Sequence, residues 1–451
     1  MLEAIILAAG KGTRMKSNLP KVMHTIAGKP LLQHVLDTAA ELAPEKTHLV
    51  LGHGADCIRE HIGDADLEVV LQEQQLGTGH AVMQVLSKLA SDSTALILYG
   101  DVPLIRADTL KRLAELANDK TLALLTVRLP DPKGYGRILR DEQGQVAAIV
   151  EQKDASPEQL AIDEVNTGFM AVPSCFLREC LPQLSNRNAQ GEYYLTDVIA
   201  LARSAGLKVA SLETTFIYEV QGINNRQQQA QLERQYQILM ADRLMDDGLT
   251  LLDPARFDCR GQLSVGSDCV VDVNCVFEGS VRLGNNVHIE ANCVIRNATI
   301  EDGTRIHANT LIDDADIGAN CHIGPFARIR PGSSFARGAR VGNFVETKKV
   351  RVGEGSKINH LSYIGDAEVG ANVNIGAGTI TCNYDGVNKH KTHIHDQVFV
   401  GSNSALVAPV DIGEGATIAA GSTITQNISA RQLGVARERQ RNIDGWQRPK
   451  K

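Results

Sequence analysis

LAAGKGTRMKSNLPK, which spans Leu7 to Lys21, is the most informative stretch of this sequence. It follows an apolar run, Leu2 to Ala9, that predicts a short buried strand at the start of an α/β domain. At Gly10 and Gly12 the absence of side chains would let a phosphate reach backbone N–H groups. The stretch also carries three cations suited to a polyanion, Lys11, Arg14 and Lys21. It therefore predicts a phosphate-binding loop.

The same glycines also fit an ordinary strand-to-helix turn. Met15 stands where the dinucleotide fingerprint G-x-G-x-x-G needs its third glycine, and the G-K-[ST] ending of a P-loop is missing. The stretch therefore matches neither of those two nucleotide-binding motifs.

Apolar and helical segments alternate through the first half of the chain, which predicts βαβ units and a mostly parallel sheet. We predict strands at Thr47–Gly52, Leu67–Leu71 and Thr94–Tyr99, and a helix at Gly79–Leu89. Two polar motifs, QEQQLGTGHA at 72–81 and YGDVP at 99–103, each follow such a strand. The first suits a base edge or a phosphate, because a helix begins there. In the second, Asp101 fits either a turn or one of the few protein oxygens that Mg²⁺ takes.

The middle of the chain predicts one long helix. Residues 225–247 are rich in Gln, Arg and Leu, contain neither Pro nor Gly, and precede Gly248, a typical C-cap. We expect its apolar positions to pack, namely Leu232, Tyr236, Leu239 and Leu244. A shorter helix is predicted from about Glu192 to Ala205. The predicted domains are therefore residues 1–224, a connecting helix at 225–248, and residues 249–451.

From Val265 onward an aliphatic residue recurs at intervals of six, often followed by Gly. The first run comprises Val265, Val271, Phe277, Leu283, Ile289 and Ile295, and similar runs continue to Ile424. Hexapeptide periodicity predicts a parallel β-helix in which three hexads close one triangular coil. The flat sides of such a triangular coil can stack against identical copies, which favours a closed cyclic oligomer. On the repeat alone, a scaffold that only oligomerises the first domain remains an alternative.

Polar residues interrupt the repeat between Thr347 and Lys389. Lys348 and Lys349 stand beside Thr347, where an aliphatic residue is missing, and an irregular insertion runs from Cys382 to Lys389. Long polar loops on a repetitive scaffold usually carry function. In the same region, the imidazole of His360 suits a base for an amine attacking a thioester, since its reference pKa is about 6.5. A hydrogen-bonded turn residue is the alternative.

Composition bounds the class of protein. With 46 Lys+Arg against 53 Asp+Glu in 451 residues, the chain is mildly acidic, which argues against general nucleic-acid binding. We find no apolar run long enough to span a membrane and no signal peptide. Nine cysteines, an odd number, do not form a disulfide pattern, and four of them share one position of the repeat: Cys269, Cys275, Cys293 and Cys321. We therefore expect a reduced, cytoplasmic protein.

The motifs of the first half resemble those of sugar-1-phosphate nucleotidyltransferases. The resemblance implies that Arg14 and Lys21 stabilise charge in the transition state and that Asp101 and Asn224 hold Mg²⁺. It implies that uracil is contacted by Gln72, Gly77 and Thr78, and the sugar by Gly136, Glu151 and Asn166. Further implied nucleotide contacts are Leu7, Ala8, Gly10 and Tyr99. Thr196 could reach a sugar hydroxyl or could face solvent.

Nearly the whole chain resembles a family of bifunctional enzymes, the N-acetylglucosamine-1-phosphate uridyltransferases that are also glucosamine-1-phosphate N-acetyltransferases. The implied fold is a Rossmann-like nucleotidyltransferase domain joined by a long helix to a left-handed parallel β-helix. The resemblance implies a homotrimer with active sites between subunits, and glucosamine-1-phosphate, acetyl-CoA and UTP as substrates. The product, UDP-N-acetylglucosamine, would feed cell-envelope synthesis.

The same resemblance assigns roles within the β-helix. His360 would be the base, and Arg330 and Lys348 would bind the sugar phosphate. The glucosamine would be oriented by Tyr363, Asn374 and Asn383. The acetyl-CoA site would be lined by Ala377, Asn383, Tyr384, Ser402, Ala420 and Arg437.

Two other functions remain open on sequence grounds. The β-helix could be regulatory, as in ADP-glucose pyrophosphorylases, or the chain could be a scaffold like the translation exchange-factor subunits. The scaffold class would be expected to lose Lys21 and Asp101, which are present here. A cluster of three histidines, His390, His393 and His395, fits either a zinc site or a solvated loop. His395 stands where the resembled family more often has a small residue.

Overall fold

The computed structural model describes residues 1–63 and 66–449. The chain divides into two compact units, Met1–Tyr236 and Gln237–Lys451. The division falls inside a helix at Arg226–Asp246. The three predicted domains, with boundaries after residues 224 and 248, remain a prediction.

The first unit is a mixed sheet with helices on both faces. Its strands are β1 (Leu2–Ala8), β2 (Lys46–Leu51), β3 (Glu68–Leu71), β4 (Thr94–Tyr99), β5 (Thr121–Arg128), β6 (Arg137–Arg140), β7 (Val146–Val150), β8 (Glu164–Pro173) and β9 (Lys208–Thr214). Its helices are α1 (Leu31–Ala40), α2 (Ala55–Ile62), α3 (Thr78–Met83), α4 (Ala107–Leu116), α5 (Pro157–Leu160), α6 (Ser174–Cys180), α7 (Val198–Ser204) and the start of α8 (Arg226–Asp246). Short 3-10 turns lie at Thr13–Met15, Lys21–Met23, Leu181–Gln183, Leu195–Asp197 and Ile217–Val220, and a small hairpin pairs Thr25–Ile26 with Lys29–Pro30.

The sheet order is β9-β5-β8-β4-β1-β2-β3, with β6 paired to β8 and β7 paired to β6. Strand β8 runs antiparallel to β4 and β5, whereas β1 pairs in parallel with β2 and β4. Along β1, Ile5 and Leu7 belong to one core layer, and Ile6 and Ala8 belong to the layer on the other face. A strand covered on both faces needs apolar residues at every position, which explains the continuous apolar run of the sequence.

Two predicted helices are shorter than the sequence suggested. The helix predicted to reach Leu89 ends at Met83, where the side-chain amide of Gln84 donates to the carbonyl of His80 at 3.0 Å. The Gln84 side chain thus binds a carbonyl oxygen that a backbone N–H would use if the helix continued. The helix predicted from Glu192 begins at Val198, after a 3-10 turn. Hydrogen bonds from Gly79 to the Tyr193 carbonyl (2.9 Å) and from Leu195 to Thr78 Oγ1 (3.3 Å) hold the preceding residues against α3.

Both ends of α8 are capped, and the cap at Gly248 is the one that the sequence predicts. Asn225 Oδ1 accepts from the Gln228 amide at 2.8 Å, which caps the first turn. At the other end Gly248 has a φ of 100°, and Leu249 donates to the Leu244 carbonyl at 2.9 Å, which forms a Schellman motif.

The apolar positions of α8 pack with one exception. Leu232 and Leu244 are buried, and Tyr236 packs against a core cluster of the first unit. The prediction for Leu239 is wrong, because that side chain is about half exposed. Ala241 is buried instead and joins the core of the second unit.

The second unit is a parallel β-helix, as the hexapeptide pattern predicts. One sheet stacks short strands at Thr250–Leu251, Val270–Val271, His288–Ile289, Arg305–Ile306, His322–Ile323, Arg340–Asn343, Lys357–His360, Asn374–Ile375, Phe399–Val400, Thr417–Ile418 and Leu433–Gly434. The other stacks strands at Phe257–Val265, Cys275–Leu283, Val294–Ile300, Leu311–Ile317, Arg328–Ile329, Ser333–Phe335, Glu346–Val352, Tyr363–Val369, Ile380–Cys382, Thr392–Ile394, Ala405–Val407, Val410–Ile412 and Thr423–Ile424.

The register shows that one coil takes three hexads. Phe257 pairs with Cys275, three full hexads further along the chain. Most later coils have the same length or are a single residue shorter, and the last one, from Thr417 to Leu433, is two residues shorter. The aliphatic column is buried in a single core that also holds the four repeat cysteines, Cys269, Cys275, Cys293 and Cys321. The coil that leads from Ile380 to its register partner Ala405 is longer, because it contains the predicted insertion.

Two threonines replace aliphatic residues in the buried column. Thr347 lies between Ile329 and Ile364 in register, and its hydroxyl lies 3.2 Å from that of Ser333. Thr381 is also buried, and its Oγ1 accepts from the backbone N–H of Gly365 at 2.7 Å. Each buried hydroxyl therefore has a partner, which limits the cost of placing it in an apolar core.

No helix within residues 1–63 and 66–449 has the length and apolar character needed to cross a membrane.

We predict that removing His48 strongly destabilises the first unit. His48 is fully buried, and its Nε2 donates to Glu3 Oε2 at 2.7 Å. Burial raises the pKa of Glu3, but hydrogen bonds from His48, Ala90 and Ser93 outweigh it and lower that pKa. His48→Leu leaves a buried carboxylate without its main partner and should cost about 3–5 kcal/mol of unfolding free energy.

Urea unfolding followed by far-UV circular dichroism would measure this loss. Lys29→Met, which breaks the exposed Lys29–Asp37 pair, is the control and should cost under about 1 kcal/mol. Equal losses in the two variants would contradict the prediction.

Candidate active sites

The predicted phosphate loop follows β1 and depends on Gly12. This residue has a φ of 59°, and a Cβ built there would lie 2.6 Å from Cβ of Lys21. Gly12 therefore both permits the left-handed turn and lets Lys21 approach. A Cβ built at Gly10 would meet no heavy atom within 4 Å, so open space adjoins the backbone there. Leu7 and Ala8 end the strand just before this loop.

Lys21 meets two side chains from distant parts of the first unit. Its Nζ contacts the Asp101 carboxylate and lies 3.2 Å from Asn224 Oδ1. The Ile223 amide donates to the Asp101 carbonyl at 3.0 Å, which holds the two segments together. Asn224 directly precedes Asn225, which caps α8. The backbone amide of Asn224 also donates to Gln228 Oε1 at 2.8 Å, and these bonds fix the position of Asn224. The predicted metal ligands thus converge on one cationic group.

Arg14 is not brought to this cluster. It lies exposed on the 3-10 turn Thr13–Met15, and no hydrogen bond or ion pair joins it to Lys21, Asp101 or Asn224 within the described residues.

The residues predicted to contact uracil lie together at the start of α3. The amide of Gln72 is buried and donates to the Gly77 carbonyl at 3.1 Å. Gly77 has a φ of 108°, and a Cβ there would lie 2.7 Å from the Tyr193 carbonyl oxygen. Thr78 Oγ1 accepts from the Leu195 amide at 3.3 Å. This segment is thus fixed by the chain just before α7.

The residues predicted to contact the sugar form a second group in the same unit. The Asn166 amide donates to the Gly136 carbonyl at 2.8 Å. A Cβ added at Gly136 would lie 2.9 Å from Cγ2 of Ile149 and 3.4 Å from Glu151 Oε1, so the missing side chain makes room chiefly for Ile149, with Glu151 beside it. Thr196, which the sequence left undecided, donates to Glu151 Oε1 at 3.2 Å. Burial, together with the charges of Asp101 and Glu151, raises the pKa of Tyr99.

In the β-helix, His360 is exposed, and its Nδ1 lies 3.0 Å from Asn343 Oδ1 on the neighbouring coil. On the adjoining sheet Arg330 donates to Glu346 at 2.6 Å, and Glu346 pairs in register with Tyr363. Asn343 and Glu346 carried no motif of their own in the sequence, although each lies one coil before a predicted site residue.

A cluster of cations lies beside these residues. Lys389, which the sequence analysis did not assign, contacts Lys348, and together with Arg330 it lowers the pKa of Lys348. Three positive groups close enough to perturb one another would be stabilised by a bound anion. Lys389 is the last residue of the predicted insertion. Its place in that polar loop was the only feature of the sequence that pointed to a functional role for this lysine.

The predicted acetyl-CoA residues lie on successive coils. Ala377 accepts from the Asn403 amide at 2.7 Å, and Ser402 accepts from the Gly421 amide at 2.8 Å. Arg437 donates from its guanidinium to the Ala420 carbonyl at 2.7 Å. These backbone contacts therefore align Ala377, Ser402 and Ala420, and they bring Arg437 to the end of the line.

The insertion is organised by Asp385. This carboxylate accepts from the amides of Val387 (2.8 Å) and Asn388 (2.7 Å) and from His390 Nε2 (2.8 Å). These bonds hold the pKa of Asp385 far below its usual range. The loop thereby carries Tyr384 outward, where it is exposed, while Asn383 is buried and donates to Asp366. Asn374 lies elsewhere on the stack, in register with Lys357 and Phe399.

The three clustered histidines do not converge. Each faces a different carboxylate: His390 faces Asp385, His393 faces Glu368 at 3.5 Å, and His395 faces Asp411 at 3.2 Å. Across residues 1–63 and 66–449, no group of three His, Cys, Asp or Glu side chains is arranged to hold a metal ion.

Comparison with known proteins finds family matches in both units. A MobA-like NTP transferase domain matches residues 4–205, a GMPPB C-terminal domain matches residues 259–352, and a bacterial transferase hexapeptide family of six repeats matches residues 391–426. The bifunctional protein GlmU of Saccharophagus degradans is 62% identical over 451 residues, which cover 100% of both chains. The GlmU proteins of Marinobacter nauticus and Cellvibrio japonicus are each 60% identical and cover 100% of this chain and 99% of their own.

This chain belongs to the GlmU family of bifunctional proteins. The predicted family, its two-part fold and its two transfer activities, of a uridylyl group and of an acetyl group, are confirmed. Membership of the GlmU family also speaks against the two alternatives, a regulatory β-helix and a scaffold without activity.

We predict that Glu151→Gln stabilises the first unit at neutral pH while it impairs uridylyl transfer. Burial raises the pKa of Glu151, and Asp154, Asp197 and Glu192 add to this, although a hydrogen bond from Thr196 opposes it. A raised folded-state pKa means that the ionised carboxylate costs stability above its unfolded pKa. That cost disappears as the pH falls below the unfolded value.

The melting temperature of Glu151→Gln should therefore exceed that of the parent protein by a few degrees at pH 7.5, and the gap should close near pH 4. Glu142→Gln, at an exposed position, should leave the melting temperature unchanged at both pH values. A variant that melts below the parent at pH 7.5 would show that the Glu151 carboxylate is stabilising.

Proposed function

We propose that the two clusters are the separate sites of the two reactions of this enzyme. The Lys21 cluster of the first unit would transfer the uridylyl group, and the His360 cluster of the β-helix would transfer the acetyl group. The observation that carries the proposal is convergence: side chains far apart in sequence, such as Lys21, Asp101 and Asn224, meet with the charges that each reaction needs.

In the acetyl-transfer site, His360 is the general base. Its Nδ1–H donates to Asn343 Oδ1, which leaves the Nε2 lone pair free to accept a proton. The amine of glucosamine-1-phosphate attacks the thioester carbonyl of acetyl-CoA and loses a proton to Nε2. The tetrahedral adduct then collapses and breaks the C–S bond, and coenzyme A leaves as the thiol with the proton returned from His360.

The cations of the same site hold the sugar phosphate. Arg330 and Lys348 are the predicted phosphate ligands, and the contact between Lys348 and Lys389 supports Lys389 as a third. Tyr363 and Asn374 would orient the glucosamine ring. Acetyl-CoA would lie along the line of Ala377, Ser402 and Ala420, with Tyr384 and Asn383 beside it and Arg437 at its phosphate end.

In the uridylyl-transfer site, the phosphate of N-acetylglucosamine-1-phosphate attacks the α-phosphorus of UTP and expels pyrophosphate. Gly10 and Gly12 would open the loop backbone to the triphosphate, with Arg14 and Lys21 neutralising the leaving pyrophosphate. Gln72, Gly77 and Thr78 would bind the uracil edge. Gly136, Glu151 and Asn166 would bind the acetylated sugar, and Thr196 would fix the Glu151 carboxylate.

Asp101 and Asn224 are suited to hold Mg²⁺. Their side-chain oxygens already converge on a cation, the ammonium of Lys21, and carboxylate and amide oxygens are ligands that Mg²⁺ accepts. When bound, the ion would supply charge neutralisation for the triphosphate. Lys21 would then turn from the two oxygens towards the phosphates.

We also infer a homotrimer in the cytoplasm. The hexapeptide repeat supports oligomerisation, because identical flat-sided coils pack around a common axis. The nine cysteines are free thiols, and six of them are buried, which supports a reducing compartment.

We predict that the two activities can be removed independently. His360→Ala should lower glucosamine-1-phosphate-dependent thiol release by about 10²–10⁴-fold, because it removes the general base. Pyrophosphate release from UTP should stay within twofold of the parent rate. Lys21→Met should show the opposite pattern, with pyrophosphate release reduced about 10²–10³-fold by loss of a charge in the transition state.

Both rates would be measured on the same purified preparations. His288→Ala, on the same sheet of the β-helix as His360, and Lys16→Met, in the same loop as Lys21, are the matched controls and should keep both activities. Loss of both activities in either His360→Ala or Lys21→Met would contradict the assignment of separate sites.

We predict that chelation separates the two reactions as well. Exhaustive treatment with a chelator should abolish pyrophosphate release and leave thiol release unchanged, because only the first site uses a metal. Mg²⁺ alone should restore the lost activity. Recovery that requires Zn²⁺ would instead revive a zinc role for His390, His393 and His395.

A further inference from the structure

His24 is a buried histidine to which the two proposed reactions give no role. It directly follows the 3-10 turn at Lys21–Met23, and its backbone N–H donates to the Lys21 carbonyl at 3.2 Å. The residue is only 5% exposed. The His24 ring therefore shares a turn with the cation of the uridylyl-transfer site, but its burial keeps it from contacting a substrate.

The His24 ring is hydrogen bonded to the first turn of α8. Nη1 of Arg226 donates to Nδ1 of His24 at 3.1 Å and to Oε1 of Gln229 at 3.2 Å. Burial and the positive charge of Arg226 lower the pKa of His24, although an interaction with the Leu19 backbone opposes them. A neutral ring has a lone pair that can accept, and a guanidinium can only donate, which fixes the direction of this bond.

Two further hydrogen bonds join α8 to the chain just after His24. The side-chain amide of Gln229 donates to the Thr25 carbonyl at 2.8 Å, and the Ala27 amide donates to Glu233 Oε2 at 2.7 Å. Neither bond involves His24. We therefore expect a substitution at His24 to loosen the start of α8 without detaching the helix.

These contacts form a closed ring that includes a proposed metal ligand. Lys21 and His24 share one turn, and His24 contacts Arg226, which lies two residues after Asn224. The ring closes where Asn224 Oδ1 lies 3.2 Å from Lys21 Nζ. If Lys21 turns towards the phosphates, as we propose for the metal-bound site, this last contact is lost. The bond from Arg226 to His24 does not involve the Lys21 side chain, so it would continue to hold the start of α8.

We propose that His24 is a positioning residue for uridylyl transfer, which fixes the start of α8 through Arg226 and thereby fixes Asn224 as a ligand for Mg²⁺. This inference rests on the proposed function of the Lys21 cluster. His24 acts through Arg226 and Asn224 and does not itself contact the ion or the substrates.

Two variants remove the bond from opposite sides. His24→Leu keeps a buried apolar side chain that cannot accept, and Arg226→Met removes the donor at an exposed position, where the fold should tolerate it. Mn²⁺ serves as the probe, and its binding is measured by electron paramagnetic resonance with UDP-N-acetylglucosamine present. Each variant should bind Mn²⁺ about 10–100-fold more weakly than the parent, as expected when a residue that orients a metal ligand is lost. The double variant should bind no more weakly than either single variant, because both changes remove the same bond.

A conservative substitution separates positioning from a purely structural role. His24→Asn places a side-chain oxygen where the ring has Nδ1, so it should restore Mn²⁺ binding to within about threefold of the parent. The smaller side chain should still lower the melting temperature, because it leaves a cavity. In His24→Leu, half-maximal pyrophosphate release should require about 10–100-fold more Mg²⁺, and thiol release should be unchanged.

His48→Leu is the matched control, because it removes another buried imidazole of the same unit, away from α8. It should lower stability and leave Mn²⁺ binding unchanged. Asn224→Ala should lose Mn²⁺ binding, and if it does not, the proposed metal ligand is wrong and this inference falls with it. Parent-like Mn²⁺ binding in His24→Leu and Arg226→Met, beside a loss in Asn224→Ala, would overturn the role of His24 while the proposed function stands. Equally weak binding in His24→Asn and His24→Leu would overturn the hydrogen bond as the cause.

Discussion

The backbone ladder between successive coils is the constraint on which the β-helix and its site depend. Each strand can pair with the next only if equivalent residues lie above one another, which sets the length of most coils at three hexads or a single residue less. Side chains one coil apart therefore become neighbours, as Asn343 and His360 do. The same ladder forces extra residues outward. The longer coil from Ile380 to Ala405 adds a loop beside the site and leaves the core register unchanged.

In the first unit the main constraint is different: charged side chains must be placed at the carboxyl ends of parallel strands. Asp101 follows β4, Lys21 belongs to the loop after β1, and these two strands are neighbours in the sheet. The opposite charges of Lys21 and Asp101 are therefore brought together by the fold, although the two residues are far apart in the sequence. This placement of charge costs stability at Glu151. Burial and the neighbouring carboxylates raise the pKa of that residue. A carboxyl group whose pKa is raised in this way is typical of a site that serves a ligand.

Features that repeat or that depend on neighbours in sequence could be predicted, and features set by distant contacts could not. The period of six and the cap at Gly248 follow from local backbone chemistry. The end of α3 could not be foreseen, because the side chain of Gln84 competes for a helical acceptor. The meeting of Lys21, Asp101 and Asn224 followed from family resemblance, since no spacing encodes it. Lys389 was missed because a lysine that ends a polar loop looks like any solvated residue.

The departures from local rules fall on the same coils of the β-helix. Thr347 and Thr381 replace aliphatic residues in the core, Phe344 and Leu361 occupy backbone positions that favour Asn or Gly, and the insertion lengthens one coil. Most other coils keep the regular pattern. A sequence under selection for stability alone would have kept it everywhere, so these coils carry an additional requirement. His360 lies in the middle of them, so the additional requirement falls at the cluster that we propose as the acetyl-transfer site.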